Sequence, residues 1–324
     1  MNTFQVILKA AAPKTLWLGI SSVIGGCAAA AVHGSFELLP AVLCLLFAIL
    51  AQATGNVMYY YHDVSHPEAK DNPLYANISA NLPASLPVVL KEAIKVLGIM
   101  TATLGCAIFS LSGLWTLIIG AIILFVIVAH NTSSNSLCNT VFYPLITFLL
   151  FGPVGVIGTT LVQTHINSEY LLSSWDLYPA LTMSVIVGLM AFNSHLYFSI
   201  YHKNHKLYSS HTKFYKHYRR PAIITSLILS TVIFAVVSYF APFWMDIRYL
   251  MPFAPVPMIS MTLNIVCIVI AFKPRHALLA WNLSLWNIVC YNLISLIVFF
   301  YIGYPEGYLD YAEPMFPWLS ATLL

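Results

Sequence analysis

Charge is what this sequence has least of. Only 8% of its 324 residues are Asp, Glu, Lys or Arg, where soluble domains average roughly 25%. That shortage excludes an ordinary water-soluble globular chain, and no soluble domain stands apart from the rest. Paired cysteines are also missing. Cys27, Cys44, Cys106, Cys138, Cys267 and Cys290 lie in apolar surroundings with no CxxC spacing, so they read as packing residues and give redox chemistry no support. Nothing in the chain points to nucleic acid as a partner.

What fills the space is hydrophobic sequence, 60% of the total. Apolar segments near the ~20 residues needed to cross a bilayer begin at about Thr15, Leu38, Lys95, Leu114, Val141, Leu177, Pro221, Leu250 and Leu279. The expectation is an all-α polytopic membrane bundle of about nine helices, folded as one domain over residues 1–324. Ahead of the first segment stands a short polar start with Lys9 and Lys14, and no small-residue cleavage site, so this segment reads as a retained helix rather than a signal peptide. With the N-terminus cytoplasmic, Arg248 is the only basic residue left outside, as the positive-inside rule expects.

Polar groups concentrate at two helix ends. The second segment closes on "GNVMYYYHD", Gly55 to Asp63, and the sixth on "FNSHLYFSIYHKNHK", Phe192 to Lys206. Asn56, Tyr60 and Asp63 recur at four- and three-residue steps, and Asn193, Tyr197 and Tyr201 at four-residue steps. Such steps put each set on one helical face. Each stripe runs into a long polar loop on the cytoplasmic side. Two corresponding stripes in two halves of a bundle suggest a ligand site between them; interfacial tyrosine belts are the plainer explanation.

At these residues the chain resembles the UbiA superfamily of membrane prenyltransferases, most of all the 1,4-dihydroxy-2-naphthoate polyprenyltransferases of menaquinone synthesis. "PKTL" at Pro13 to Leu16 resembles the motif before the first helix, with Ala12 in place of its usual Arg. "QATGN", Gln52 to Asn56, resembles the approach to the first aspartate-rich motif. "FGPVGVIGTTLVQT", Phe151 to Thr164, resembles a distinctive fifth-helix sequence. The resemblance implies an enzyme that holds a polyprenyl diphosphate through Mg2+ bound to aspartates, ionises it, and joins the cation to an aromatic quinone precursor. Magnesium prefers hard oxygen ligands, and its charge offsets that of the departing diphosphate.

The motifs depart from that pattern in one direction. The form N-x-x-N-D-x-x-D falls on Asn56, Tyr59, Tyr60 and Asp63; the second motif falls on Asn193, Ser194, Leu196, Tyr197 and Tyr201. Three of four carboxylates are tyrosine, which leaves Asp63 as a weak metal ligand. The acidic residue that commonly precedes the fifth helix falls on Pro144. A phenol is neutral at pH 7 (reference pKa ~10) and cannot replace a carboxylate on magnesium. By resemblance Asn56, Asp63 and Asn193 are the catalytic candidates. Lys14, Tyr60, Tyr197, Tyr201, Lys203 and Lys206 are candidate substrate-binding donors, Lys206 matching by spacing the lysine of the family's "GKRT".

The expected function is binding of a polyprenyl diphosphate or related isoprenoid lipid, with prenyl transfer weak or lost. The location implied is a bacterial inner membrane. An active, diverged prenyltransferase remains an alternative. So does a metalloenzyme using the pairs His62/His66 and His202/His205, with His195, His211, His217 and His276 near the same face. A transporter would share the paired stripes.

Overall fold

The computed structural model describes residues 3–32, 34–65, 86–131, 142–164, 174–205, 220–240 and 254–303. Among them there is no strand. The chain begins with a short helix, α1 (Thr3–Ala10). Nine apolar helices follow among the described residues: α2 (Leu16–Ala31), α3 (Leu38–Ser65), α4 (Leu86–Ser112), α5 (Leu114–Asn131), α6 (Tyr143–Gln163), α7 (Ser174–His205), α8 (Arg220–Phe240), α9 (Pro255–Ala271) and α10 (Ala277–Gly303). Six of them, α3, α4, α6, α7, α8 and α10, are long and apolar enough to cross a membrane, and α2, α5 and α9 are shorter. The result is an all-α polytopic membrane bundle.

The helix starts follow the apolar segments of the sequence, with two shifts. The third segment was expected from about Lys95, but α4 begins at Leu86. Lys91, Glu92 and Lys95 occupy its exposed side, and Lys95 Nζ donates to Glu92 Oε1 at 2.7 Å. Long charged side chains reach the headgroup region while their stems stay on the helix. Hydropathy therefore underestimates the helix by two turns. Similarly, α9 starts at Pro255 rather than Leu250, with proline at the first turn, where its missing N–H costs no bond.

Two helices organise the bundle. α2 touches α3, α6, α7 and α10, while α7 touches α2, α6, α8 and α10. Their close approach depends on residues without side chains. A Cβ on Gly152 of α6 would lie 2.8 Å from Gly188 Cα on α7 and strike the Ser184 carbonyl as well; one on Gly26 of α2 would meet Thr159 Cγ2 at 3.0 Å. Small residues at such crossings let backbones pack where lipid supplies no hydrophobic drive.

Within α6 the segment Leu150–Ile157 is wound as a π-helix containing Pro153. Proline has no N–H to donate, so the regular ladder cannot run through it. The carbonyl of Phe151 is satisfied from outside by Ser22 Oγ at 2.6 Å. A second tie runs from Thr160 Oγ1 to Gly26 O at 3.1 Å. The widened segment of α6 is thereby pinned to α2, and π-helical stretches inside α-helices are frequent at functional sites.

Candidate functional site

Between α2, α3, α4, α5, α6 and α7 lies a cavity of about 420 Å3, with Trp281 of α10 at its edge. Its walls are mostly apolar, from Leu18, Phe47, Ile108, Ile123 and Val154 among others. Thr15, Gln52, Asn56, Tyr143, Ser194 and His195 gather toward one end, and Ser22, Thr101, Thr116, Thr147 and Thr159 are spread through the rest of the wall. The residues of the polar end belong to the parts of their helices nearer the side of the bundle where α2 begins, α3 finishes, α6 begins and α7 finishes.

The polar end is tied to the turn between α1 and α2. Asn56 Nδ2 donates to Ala11 O at 2.8 Å and to Thr15 Oγ1 at 2.9 Å. Thr15 Oγ1 in turn donates to Ala12 O at 2.9 Å. Gln52 Nε2 donates to Thr15 O at 2.6 Å and its Oε1 accepts from Gly19 N at 3.2 Å. Ala12, at the apex, has φ 47°, a left-handed conformation uncommon for any residue but glycine. Three neighbouring bonds hold it there. Across the cavity mouth, His195 packs edge-on to Tyr143 with ring centroids 4.4 Å apart.

The structure separates the residues singled out in the sequence. Asn56 lines the cavity. Tyr60 turns to the other side of α3, half-buried against the cluster of Val6, Ala10, Leu86 and Leu90 from α1 and α4. Asp63 lies two turns beyond Asn56 on the backbone of α3, its side chain outside the described residues. Lys14 is exposed at the head of α2. Lys203 lies in the backbone of α7 with its side chain outside the described residues, and Lys206 lies outside them altogether.

Asn193, Tyr197 and Tyr201, expected as a second stripe facing the same space, lie elsewhere in the bundle. None of the three lines the cavity. Asn193 Oδ1 accepts from Ser230 Oγ of α8. Tyr197 is fully buried, its hydroxyl donating to Asn264 O of α9 at 3.4 Å. Tyr201 stacks on Trp281 at 6.4 Å. The physical reason is the central position of α7. A helix packed on every side offers several polar faces, and the one reaching the cavity carries Ser194, His195 and Phe198, one position out of register with the predicted stripe.

Sequence reasoning therefore missed Ser194, Phe198, Tyr143, Gln52, Thr15 and Trp281 as wall residues, and placed His195 only near the cytoplasmic face. The signal for Thr15 and Gln52 was present in "PKTL" and "QATGN". For the α7 residues no signal fixes which face meets which neighbour.

Magnesium fits the described surroundings poorly. Among the described cavity residues there is no Asp or Glu, and no group of three His, Cys, Asp or Glu side chains gathers anywhere in the described structure. Hard divalent cations take oxygen ligands that include carboxylate; hydroxyls and amides alone form a weak donor set. The paired-histidine site falls mostly outside the described residues. His66, His211 and His217 lie outside the described residues, as do the side chains of His202 and His205; His276 Nε2 accepts from Arg275 Nε at 2.9 Å.

The class defined by these observations is a helical membrane bundle enclosing an apolar cavity with one polar end. No family model matches the chain, and no curated protein matches it. Among solved structures it is similar to a digeranylgeranylglyceryl phosphate synthase of membranes, with a TM-score of 0.51 over 90% of this chain and 99% of that one, at 16% identity. At that identity the shared property is the fold.

Proposed function

We propose that this chain is a UbiA-type prenyltransferase homologue that binds an isoprenoid lipid at the cytoplasmic face of a membrane, with prenyl transfer weak or lost. The observation that carries the reading is the apolar cavity of about 420 Å3 whose polar end contains Asn56, in a fold shared with a digeranylgeranylglyceryl phosphate synthase. Small-molecule sites have this form, concave and mostly apolar with a few placed polar groups, in volumes of about 300–1,000 Å3. Loss of the aspartates bears on rate. Without carboxylate-held magnesium, ionisation of a diphosphate loses several kcal/mol of stabilisation, and each ~1.4 kcal/mol is a tenfold loss.

The finer parts of the reading follow the motif resemblance: a polyprenyl diphosphate or related lipid as ligand, an aromatic quinone precursor as any acceptor, and a bacterial inner membrane with a cytoplasmic N-terminus. The test is purified protein with labelled polyprenyl diphosphate, magnesium and a dihydroxynaphthoate acceptor. Retention of isoprenoid without product supports a silent binder. Product above background, lost in a cavity-filling variant, replaces it with an active enzyme. Failure to retain any isoprenoid overturns the reading.

A further inference from the structure

We infer that the ligand of this cavity is an electrically neutral isoprenoid carrying an oxygen-bearing head, a prenylated quinone or a polyprenol, and not an isoprenoid diphosphate. The inference rests on the isoprenoid reading above and narrows it.

The first ground is charge. A diphosphate brings several negative charges out of water, which is costly unless cations or metal meet them in the site. Among the described residues lining the cavity there is no Lys, Arg, Asp or Glu, and His195 is the single basic side chain. Lys14, next in sequence to the lining residue Thr15, is exposed. Two tyrosines placed to donate to phosphate oxygens are committed elsewhere: Tyr60 packs toward α1 and α4, and Tyr197 bonds to α9. The cavity that remains suits a neutral molecule.

The second ground is an unused pair of polar groups. Ser194 lines the cavity at 0% exposure, and its Oγ is buried without a hydrogen-bond partner among the described residues. A buried hydroxyl left unpaired inside a membrane bundle is unfavourable, and native structures satisfy such groups. Asn56 spends Nδ2 on Ala11 O and Thr15 Oγ1, which leaves its Oδ1 as an acceptor. The polar end of the cavity thus includes a hydroxyl donor and an amide acceptor, while the rest of the wall is mainly hydrocarbon, with the hydroxyls of Ser22, Thr101, Thr116 and Thr147 already bonded to backbone carbonyls. A quinone oxygen accepts from the serine; an alcohol can also donate to the asparagine. The isoprenoid tail takes the apolar length between Asn56 and Cys44 along α3, both lining residues, about 18 Å at 1.5 Å per residue.

The experiment is competitive lipid retention on the full chain in detergent, read by native mass spectrometry. The probes are an isoprenoid naphthoquinone, geranylgeraniol, geranylgeranyl diphosphate with and without magnesium, and dioleoylglycerol. Both neutral isoprenoids are expected to be retained about tenfold better than the diphosphate, with no change on adding EDTA. Ser194→Ala removes a hydroxyl that has no protein partner, so its thermal stability should match or exceed that of the parent while retention of the neutral isoprenoids falls severalfold. Gly120→Leu keeps the measurement decisive if the serine variant is uninformative. Gly120 lines the cavity and a Cβ there meets nothing within 4 Å, so the larger side chain should enter the cavity and abolish retention without disturbing the fold. Preference for the diphosphate, or a requirement for magnesium, overturns this inference and leaves the isoprenoid site standing. Equal retention of dioleoylglycerol, or no retention of any isoprenoid, removes the isoprenoid reading itself.

Discussion

At the scale of single residues, the tyrosines at the aspartate positions divide into different environments, and this governs any attempt to restore acidic groups. Tyr197 is fully buried with only a long 3.4 Å bond to Asn264 O. Tyr197→Phe should therefore cost under about 1 kcal/mol, whereas Tyr197→Asp places a carboxylate among α8, α9 and α10 and should unfold the bundle, as an unpaired buried charge does. Thermal melting in detergent distinguishes the two. A carboxylate meant for the cavity belongs at Ser194 or Phe198 instead. Asn56 gives the converse prediction: Asn56→Leu strands the Ala11 carbonyl and should cost about 1–3 kcal/mol. Asn56→Asp should be at least as damaging, because an ionised carboxylate only accepts and would face that carbonyl. The sequence made Asn56 legible as a special residue, since a polar amide among apolar neighbours stands out. It could not assign the neighbours of Tyr197, because helical spacing defines which residues share a face but not what the face meets.

At the scale of elements, the crossings of α6 with α2 and α7 set the geometry on which one wall of the cavity depends. Gly152→Val should force α6 away from the Ser184 carbonyl and Gly188, with a loss of about 1–3 kcal/mol or more from overpacking. Gly98→Ala in α4 is the contrasting case, because a Cβ there meets nothing within 4 Å. It should gain about 0.5–1 kcal/mol by restricting the unfolded chain. Comparing the melting of the two variants separates a packing glycine from an incidental one. The glycines of "FGPVGVIGTTLVQT" made this segment conspicuous in the sequence. Its π-helical course was not legible there, since Pro153 on its own reads as a helix break. The helix continues through it in π spacing, held to α2 by Ser22, 129 positions away in the chain, whose hydroxyl donates to the Phe151 carbonyl, a donor that a local window cannot see.

At the scale of the whole molecule, the number and order of the apolar helices were legible because hydrocarbon selects for long uncharged runs, and the short α2, α5 and α9 were recovered from the same runs. Orientation is the property left to measurement. Consecutive helices alternate direction, so Lys9, Lys14, Lys91, Lys95, Lys273 and Arg275 fall at one end of the bundle and the turn at Gly113 at the other. The packing of α1 agrees, since Val6 and Ala10 contact Leu86 and Leu90 at the start of α4, whose 27 residues carry the chain about 40 Å to that turn. If the lysine-rich end is cytoplasmic, a thiol introduced by Leu114→Cys should react with a membrane-impermeant maleimide added to intact cells, while one from Lys9→Cys should react only after the membrane is opened. Both positions are exposed, so a failure to react reports sidedness rather than burial. The reverse pattern would put the polar end of the cavity on the outer face, where a ligand must arrive from outside the cell, and with it would go the proposed access to a cytoplasmic isoprenoid.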